Sequence, residues 1–117
     1  MAKHIIQCSE PWFTYIKKGI KSVEGRKGTP KWSIIKVGDL LTFKDGKDNQ
    51  FETIVTGINK YTGAHALKDY LETETLARAL PDPKVKNIED GMKIYHQWST
   101  PAEIIEYGFL GIQIKVI

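Results

Sequence analysis

Lys21, Glu24 and Arg26 fall within one short stretch, GIKSVEGRK (19–27). An arginine offers a planar fork to a phosphate or carboxylate, and a lysine offers a point charge. A glutamate between them can pair with either, or accept from the exocyclic amine of a nucleobase. In a regular strand Glu24 and Arg26 would share one face and Lys21 would point away. Lys21 comes only two residues after Gly19, which the pattern marks as the end of a helix, so parity does not fix its direction. Two readings stay open: an anion-contacting site, or a structural ion pair. The surrounding charge is lopsided. Residues 17 to 36 hold seven lysines and arginines against Glu24 alone, a net +6, and the rest of the chain sums to −3. A basic patch on a weakly acidic body suits an anionic partner such as nucleic acid, or is a solvated lysine surface.

Aromatic residues supply the second kind of chemistry. Trp12, Trp32 and Trp98, with Tyr61 and Tyr95, are able to stack on a base. Trp32 lies in the basic loop PKWSIIK beside Lys31 and is the best candidate for exposure. Trp12 lies on an apolar helix face, as core or as one wall of a cleft. Tyr95 and Trp98 read as packing residues. His4, His65 and His96 have no cysteine or carboxylate at ligand spacing, so neither a metal nor another cofactor is expected. Cys8 reads as buried. KYTGAHALK lacks the spacing of a phosphate-binding loop. The acidic run YLETE, with Glu72 and Glu74, reads as a solvated helix junction or as part of a cleft wall.

These residues must be positioned by a mixed set of elements. HIIQC (4–8) suits a strand. Ser9 can cap a helix over EPWFTYIKK, with Pro11 in the first turn and Trp12, Phe13, Ile16 and Ile20 on one face. Gly19 suits a left-handed stop. Residues 28–39 read as a loop, 39–45 and 51–61 as strands, and 64–72 and 73–80 as helices, the latter capped by Thr73. A helix over 87–98 is weakened by Gly91, by roughly 1 kcal/mol relative to alanine. Thr100-Pro101-Ala102-Glu103 has capping-box spacing for a helix ending near Gly108. FLGIQIKVI (109–117) alternates as a last strand, with Ile112, Ile114 and Val116 on one face. The outcome is an α+β chain whose largely antiparallel sheet closes most simply as a small barrel with helices inserted.

At 117 residues the chain suits one domain, 1–117, and its single cysteine allows no internal disulfide. The amino terminus lacks the apolar run of a signal peptide, and no stretch approaches the roughly 20 apolar residues of a membrane span. An intracellular protein, cytoplasmic or nuclear, is expected, with no membrane partner.

The stretch EPWFTYIKKGIKSVEGRK (10–27) resembles the ASCH domain (activating signal cointegrator-1 homology), a branch of the PUA-like barrels. Pro11-Trp12 opens the helix and Gly19 ends it. Gly19, Lys21, Glu24 and Arg26 then meet the signature G-x-K-x-x-E-x-R, and Val37-Gly38-Asp39 leads into a strand. The resemblance implies a PUA-like β-barrel with a cleft beside the signature, binding RNA, other single-stranded nucleic acid or a modified nucleoside. Lys21, Glu24, Arg26, Lys27, Lys31, Trp32 and Trp12 are then the binding residues. Some relatives are amidohydrolases acting on N4-acetylcytidine, in which the signature lysine works with a threonine and a later glutamate. Here Glu24 stands at the threonine position, and the later glutamate corresponds to Glu74 or Glu72. If the chain is an enzyme, Lys21, Glu24 and Glu74 are the candidates. The third reading is a protein-interaction module using the basic patch.

Overall fold

A computed structural model describes all residues, 1–117. Strand β1 (Lys3–Gln7) leads into helix α1 (Trp12–Lys17) and strand β2 (Val23–Lys27). One helical turn, α2 (Pro30–Ser33), precedes strands β3 (Leu40–Lys44) and β4 (Gln50–Tyr61). Four helices follow: α3 (Ala66–Glu74), α4 (Leu76–Ala79), α5 (Ile88–Tyr95) and α6 (Pro101–Tyr107). Strand β5 (Phe109–Val116) closes the chain. The five strands form one curled sheet in the order β1-β3-β4-β5-β2, with β1 parallel to β3 and every other pairing antiparallel. This is the α+β, PUA-like architecture that the resemblance implies, without the barrel closure expected from the sequence. It stops short of full closure: β1 and β2 are the two ends of the sheet and share no strand pairing.

Two apolar cores result. One fills the curl, where Ile6, Leu41, Phe43, Val55, Ile112 and Ile114 meet Phe13 and Ile16 of α1. The other lies between the sheet and the helical layer, built on Val23, Leu67, Tyr70, Leu71, Tyr95, Ile104 and Phe109. Trp12 packs against both. The first half of β5 is therefore buried on both faces, Leu110 and Ile112 in the first core and Phe109 in the second.

Local chemistry explains most element boundaries. Gly19 has φ +77°, the left-handed turn that ends α1. Thr100 and Glu103 complete the capping box of α6, with N–H···O distances of 3.0 and 3.2 Å. Other details differ from expectation. Ser9 does not cap α1 with its side chain; the Glu10 carboxylate instead accepts from the Thr14 N–H (2.9 Å) and hydroxyl (2.6 Å). Ile20 lies beyond the helix and is exposed. The break between α3 and α4 falls at Thr75, φ +74°, rather than at Thr73. Gly91 is tolerated inside α5 because a Cβ there would stand 3.1–3.2 Å from Leu71, Leu76 and Leu80. The register of β4 shifts between Val55 and Gly57, which turns Ile58 towards the first core.

Candidate nucleic-acid interface

The open seam between β1 and β2 is where the charged signature sits. The left-handed turn at Gly19 ends α1, and Lys21 precedes the first residue of β2. Lys21 thus escapes strand parity, and its Nζ comes within 3.7 Å of Glu24 Oε1. Only 2 % of Lys21 is exposed, and 6 % of Glu24. The Lys21 ammonium donates to the carbonyls of Val23 (2.6 Å) and Ala79. Arg26 donates to Glu24 Oε2 from Nε (3.1 Å) and from Nη2 (2.8 Å). Its Nη2 also reaches the Gln7 carbonyl at 2.9 Å, so a side chain of β2 bridges to β1 where backbone pairing is missing.

Burial sets the electrostatics. It pushes the Lys21 ammonium pKa down, against the pull of Glu24. It pushes the Glu24 carboxyl up, but Arg26 and Lys21 together outweigh it and hold the group below its ordinary value. Two cations share one carboxylate, so with all three groups ionised the cluster carries an excess positive charge, which favours an electron-rich or anionic visitor.

Above this cluster opens a cavity of about 490 Å³. Its lining includes Lys21, Glu24, Arg26, Trp12, Trp32 and Trp98. Those three are all the tryptophans of the chain. Lys21 Nζ lies 5.9 Å from the Trp12 ring centre, and the Arg26 guanidinium 5.1 Å from that of Trp32. Trp98 is 56 % exposed at the rim. Tyr95 lines the cavity too, with its hydroxyl 2.7 Å from that of Tyr70. Cys8 lines it as well. Burial raises its thiol pKa to about 12, which leaves it a poor nucleophile.

The other expected residues distribute differently. Lys27 lines the cavity but is tied to Glu103 at 2.9 Å. Lys31 stands over the Trp32 ring at 4.7 Å and is not among the lining residues. Glu74 and Glu72 are not brought to Lys21. Glu24 is opposite Ile112, which faces the inside of the curl, whereas Glu74 packs on Gly111, whose neighbour across the strands is Gly25. Adjacent positions point to opposite faces, so sheet thickness separates the two carboxylates. Glu74 accepts from Tyr61, from Asn59 (2.9 Å) and from Gln113 (3.3 Å), and ties α3 to β4 and β5. Glu72 is exposed and 3.7 Å from Lys68. Trp98 and Tyr95 are the cavity residues that a packing interpretation of the sequence passes over. Their signal was the aromatic pair itself, three residues apart at the end of an amphipathic helix.

A half-open mixed barrel with a helical layer, and a charged, tryptophan-walled cavity at its seam, defines a PUA-like protein. The family model for the ASCH domain matches residues 6–114, and the chain belongs to that family. In the family this domain is generally a nucleic-acid-binding module. The crystal structure of hypothetical protein PH0355 is similar along the whole of both chains, with 34 % identity and a TM-score of 0.85. The solution NMR structure of protein PF0455 from Pyrococcus furiosus is similar over all of this chain and 98 % of its own, with 30 % identity and a TM-score of 0.76. No curated protein matches the chain. No three His, Cys, Asp or Glu side chains gather as a metal-binding group, and no helix is long and apolar enough to cross a membrane.

Proposed function

We propose that the cavity receives an unpaired base of single-stranded RNA, while the lysines around it meet the strand's phosphates. One observation carries this reading: every tryptophan of the chain lines one cavity, over the cluster of buried Lys21 and Glu24 with half-buried Arg26. Indole faces stack on any base, and buried charges supply directional hydrogen bonds. Lys31 places positive charge over the Trp32 wall, and Lys27 lines the cavity paired with Glu103. The same tryptophans report occupancy, because a base stacked on them quenches their fluorescence. A titration with a short oligoribonucleotide should quench at low salt. With about four phosphate contacts, log K should fall against log salt with a slope near −3. No quenching at low salt, or affinity indifferent to salt, overturns the reading.

A hydrolytic reading has one observation in its favour: a buried amine with a lowered pKa stands 3.7 Å from a carboxylate inside a ligand-sized cavity. Such a pair is able to pass a proton between water and a leaving amine. Release of cytidine from N4-acetylcytidine, lost in Lys21→Met, would establish it, and no turnover would remove it.

A further inference from the structure

The charges at the cavity floor do not cancel. Lys21 Nζ faces three acceptors, the carbonyls of Val23 (2.6 Å) and Ala79 and the Glu24 carboxylate (3.7 Å), the surroundings of an ammonium rather than of a neutral amine. Arg26 is charged at any ordinary pH. Glu24 is the one carboxylate between them and is already engaged: it accepts from Nε and Nη2 of Arg26 and from the Gly25 N–H, with Lys21 at its other oxygen. The floor therefore holds two positive charges against one negative, and Lys21 and Glu24 are shielded from water. Of the other charged groups on the lining, Lys27 is paired with Glu103 at 2.9 Å. Asp45 lies in a solvated turn, where its carboxylate accepts from the Lys47 N–H (2.8 Å) and the Asn49 amide (2.8 Å). Solvent screens that carboxylate more than it screens the floor.

The walls are committed in the same sense. Lys21 Nζ lies 5.9 Å from the Trp12 ring centre, and Arg26 and Lys31 lie 5.1 and 4.7 Å from that of Trp32. All three distances are those at which an indole face holds a cation. Trp98, at the exposed rim, is the one cavity tryptophan without such a partner. Tryptophan walls alone would make a cage for a positively charged ring, and the protein's own cations reverse that preference. Resting on the RNA-binding reading above, we propose that the cavity accepts neutral bases and refuses bases that carry a positive charge, such as 3-methylcytosine, 1-methyladenine and 7-methylguanine. Lys21, Arg26 and Lys31 set this selectivity, through charge rather than shape. A neutral base of the same outline finds the same stacking faces without the repulsion.

The test uses hexaribonucleotides with one base and five abasic residues, so that no second base fills the cavity. Each competes, at low salt and about pH 6, against the tryptophan quench that a uridine hexamer produces in the full chain. Three pairs share an outline and differ in charge: 3-methylcytosine with 3-methyluracil, 1-methyladenine with 1-methylhypoxanthine, and 7-methylguanine with 7-methyl-7-deazaguanine. The methyl lies on the pairing edge in two pairs and on the opposite edge in the third. The neutral member should bind about tenfold or more tighter, as a like charge in a weakly screened site requires. A uracil ligand with a 5′-aminoalkyl linker carries the same added charge away from the base and should stay within about twofold of plain uracil. Lys31→Gln and Arg26→Gln, each verified as folded by circular dichroism, should narrow the gap within each pair; Lys31 is exposed and serves even where Arg26→Gln does not fold. Paired ligands binding alike would overturn this inference and leave RNA binding standing. So would a linker charge as costly as a base charge, or a gap unchanged in the folded variants. No quenching by the uridine hexamer would overturn the RNA-binding reading and this inference with it.

Discussion

Replacing Glu24 by glutamine keeps its shape and one oxygen acceptor but removes the only carboxylate paired with both the buried Lys21 and the half-buried Arg26. Lys21 is 2 % exposed and cannot turn to water, because two backbone carbonyls hold its ammonium. Arg26 keeps a neutral acceptor and its bond to Gln7. Removing one partner of a buried ion pair costs about 3–5 kcal/mol, and the residual amide acceptor places this variant near the lower end, about 3 kcal/mol. Unfolding entropy near 2.1 cal/mol/K per residue gives roughly 0.25 kcal/mol per degree for a chain of this length, so Tm should fall by about 12 °C. The difference should depend on pH with a definite sign. The folded pKa of Glu24 is depressed below its ordinary value of 4.5. Its contribution is therefore fully present above about pH 4.5 and lost as pH falls through the folded value. Wild type and Glu24→Gln should converge in Tm on acidification. Thermal unfolding followed by circular dichroism between pH 3 and pH 8 reads this directly. A gap below about 3 °C at pH 7, or one that stays constant to pH 3, would show that solvent already screens the cluster and would refute the argument.

Gly111→Ala should destabilise the fold by about 1–3 kcal/mol in chemical denaturation, because its Cβ would stand 2.8 Å from Glu74 Oε2 and 3.0 Å from Glu74 Cδ. An unchanged midpoint would mean that the Glu74 side chain yields to the new methyl without cost. Asp39 accepts from the Ala2 N–H (3.1 Å), the Lys36 N–H (2.9 Å) and His4 Nε2 (2.9 Å), and with His4 bound first among the causes its carboxyl is held at about 2, below the ordinary 3.8. Its contribution is present above about pH 3.8 and lost as pH falls towards 2, so Asp39→Asn should flatten the acid limb of the stability profile there. An acid limb identical to wild type would refute this. Trp98→Ala should leave Tm nearly unchanged, since the side chain is 56 % exposed, yet weaken oligoribonucleotide binding by about 1–3 kcal/mol; equal affinity would remove Trp98 from the binding surface.

The sequence shows local devices well and long-range convergence poorly. Gly19, the capping box at Thr100 and Glu103, and the alternation of β5 are each set by neighbours within four residues, and each stands where the pattern puts it. The Lys21–Glu24–Arg26 cluster is equally local, and the resemblance drew attention to it. Its direction was not legible: Lys21 turns towards Glu24 because the carbonyl of Ala79, 58 residues away, takes one of its protons. Trp98 reaches the cavity only because α5 packs on α3, and no pattern in residues 87–98 reveals which partner that helix will have. Glu72 and Glu74 illustrate the opposite failure. They are near in sequence to a plausible catalytic position, but helix phase buries Glu74 against Gly111 on the other face of the sheet and leaves Glu72 in solvent. The short helix α2, which carries Trp32, was hidden because Thr29-Pro30 reads equally as loop chemistry and as a helix start.

The unclosed seam ties these features together. A fully paired barrel would leave no gap between β1 and β2 and would spend the backbone groups of both edges on each other. Here the gap is spanned by one side chain, Arg26, reaching the Gln7 carbonyl. That side chain also forks onto Glu24, which lies within reach of the buried Lys21. Stability and recognition are therefore built from the same three residues. Substituting any of them disturbs both, so loss of binding in such a variant does not by itself distinguish a ligand contact from a strut. Changing the ligand leaves the strut intact. A ligand that keeps a stacking face but lacks the hydrogen-bonding groups of a base alters the contacts to the cavity and nothing in the fold, so comparison with its parent base separates the two roles where alanine substitutions cannot.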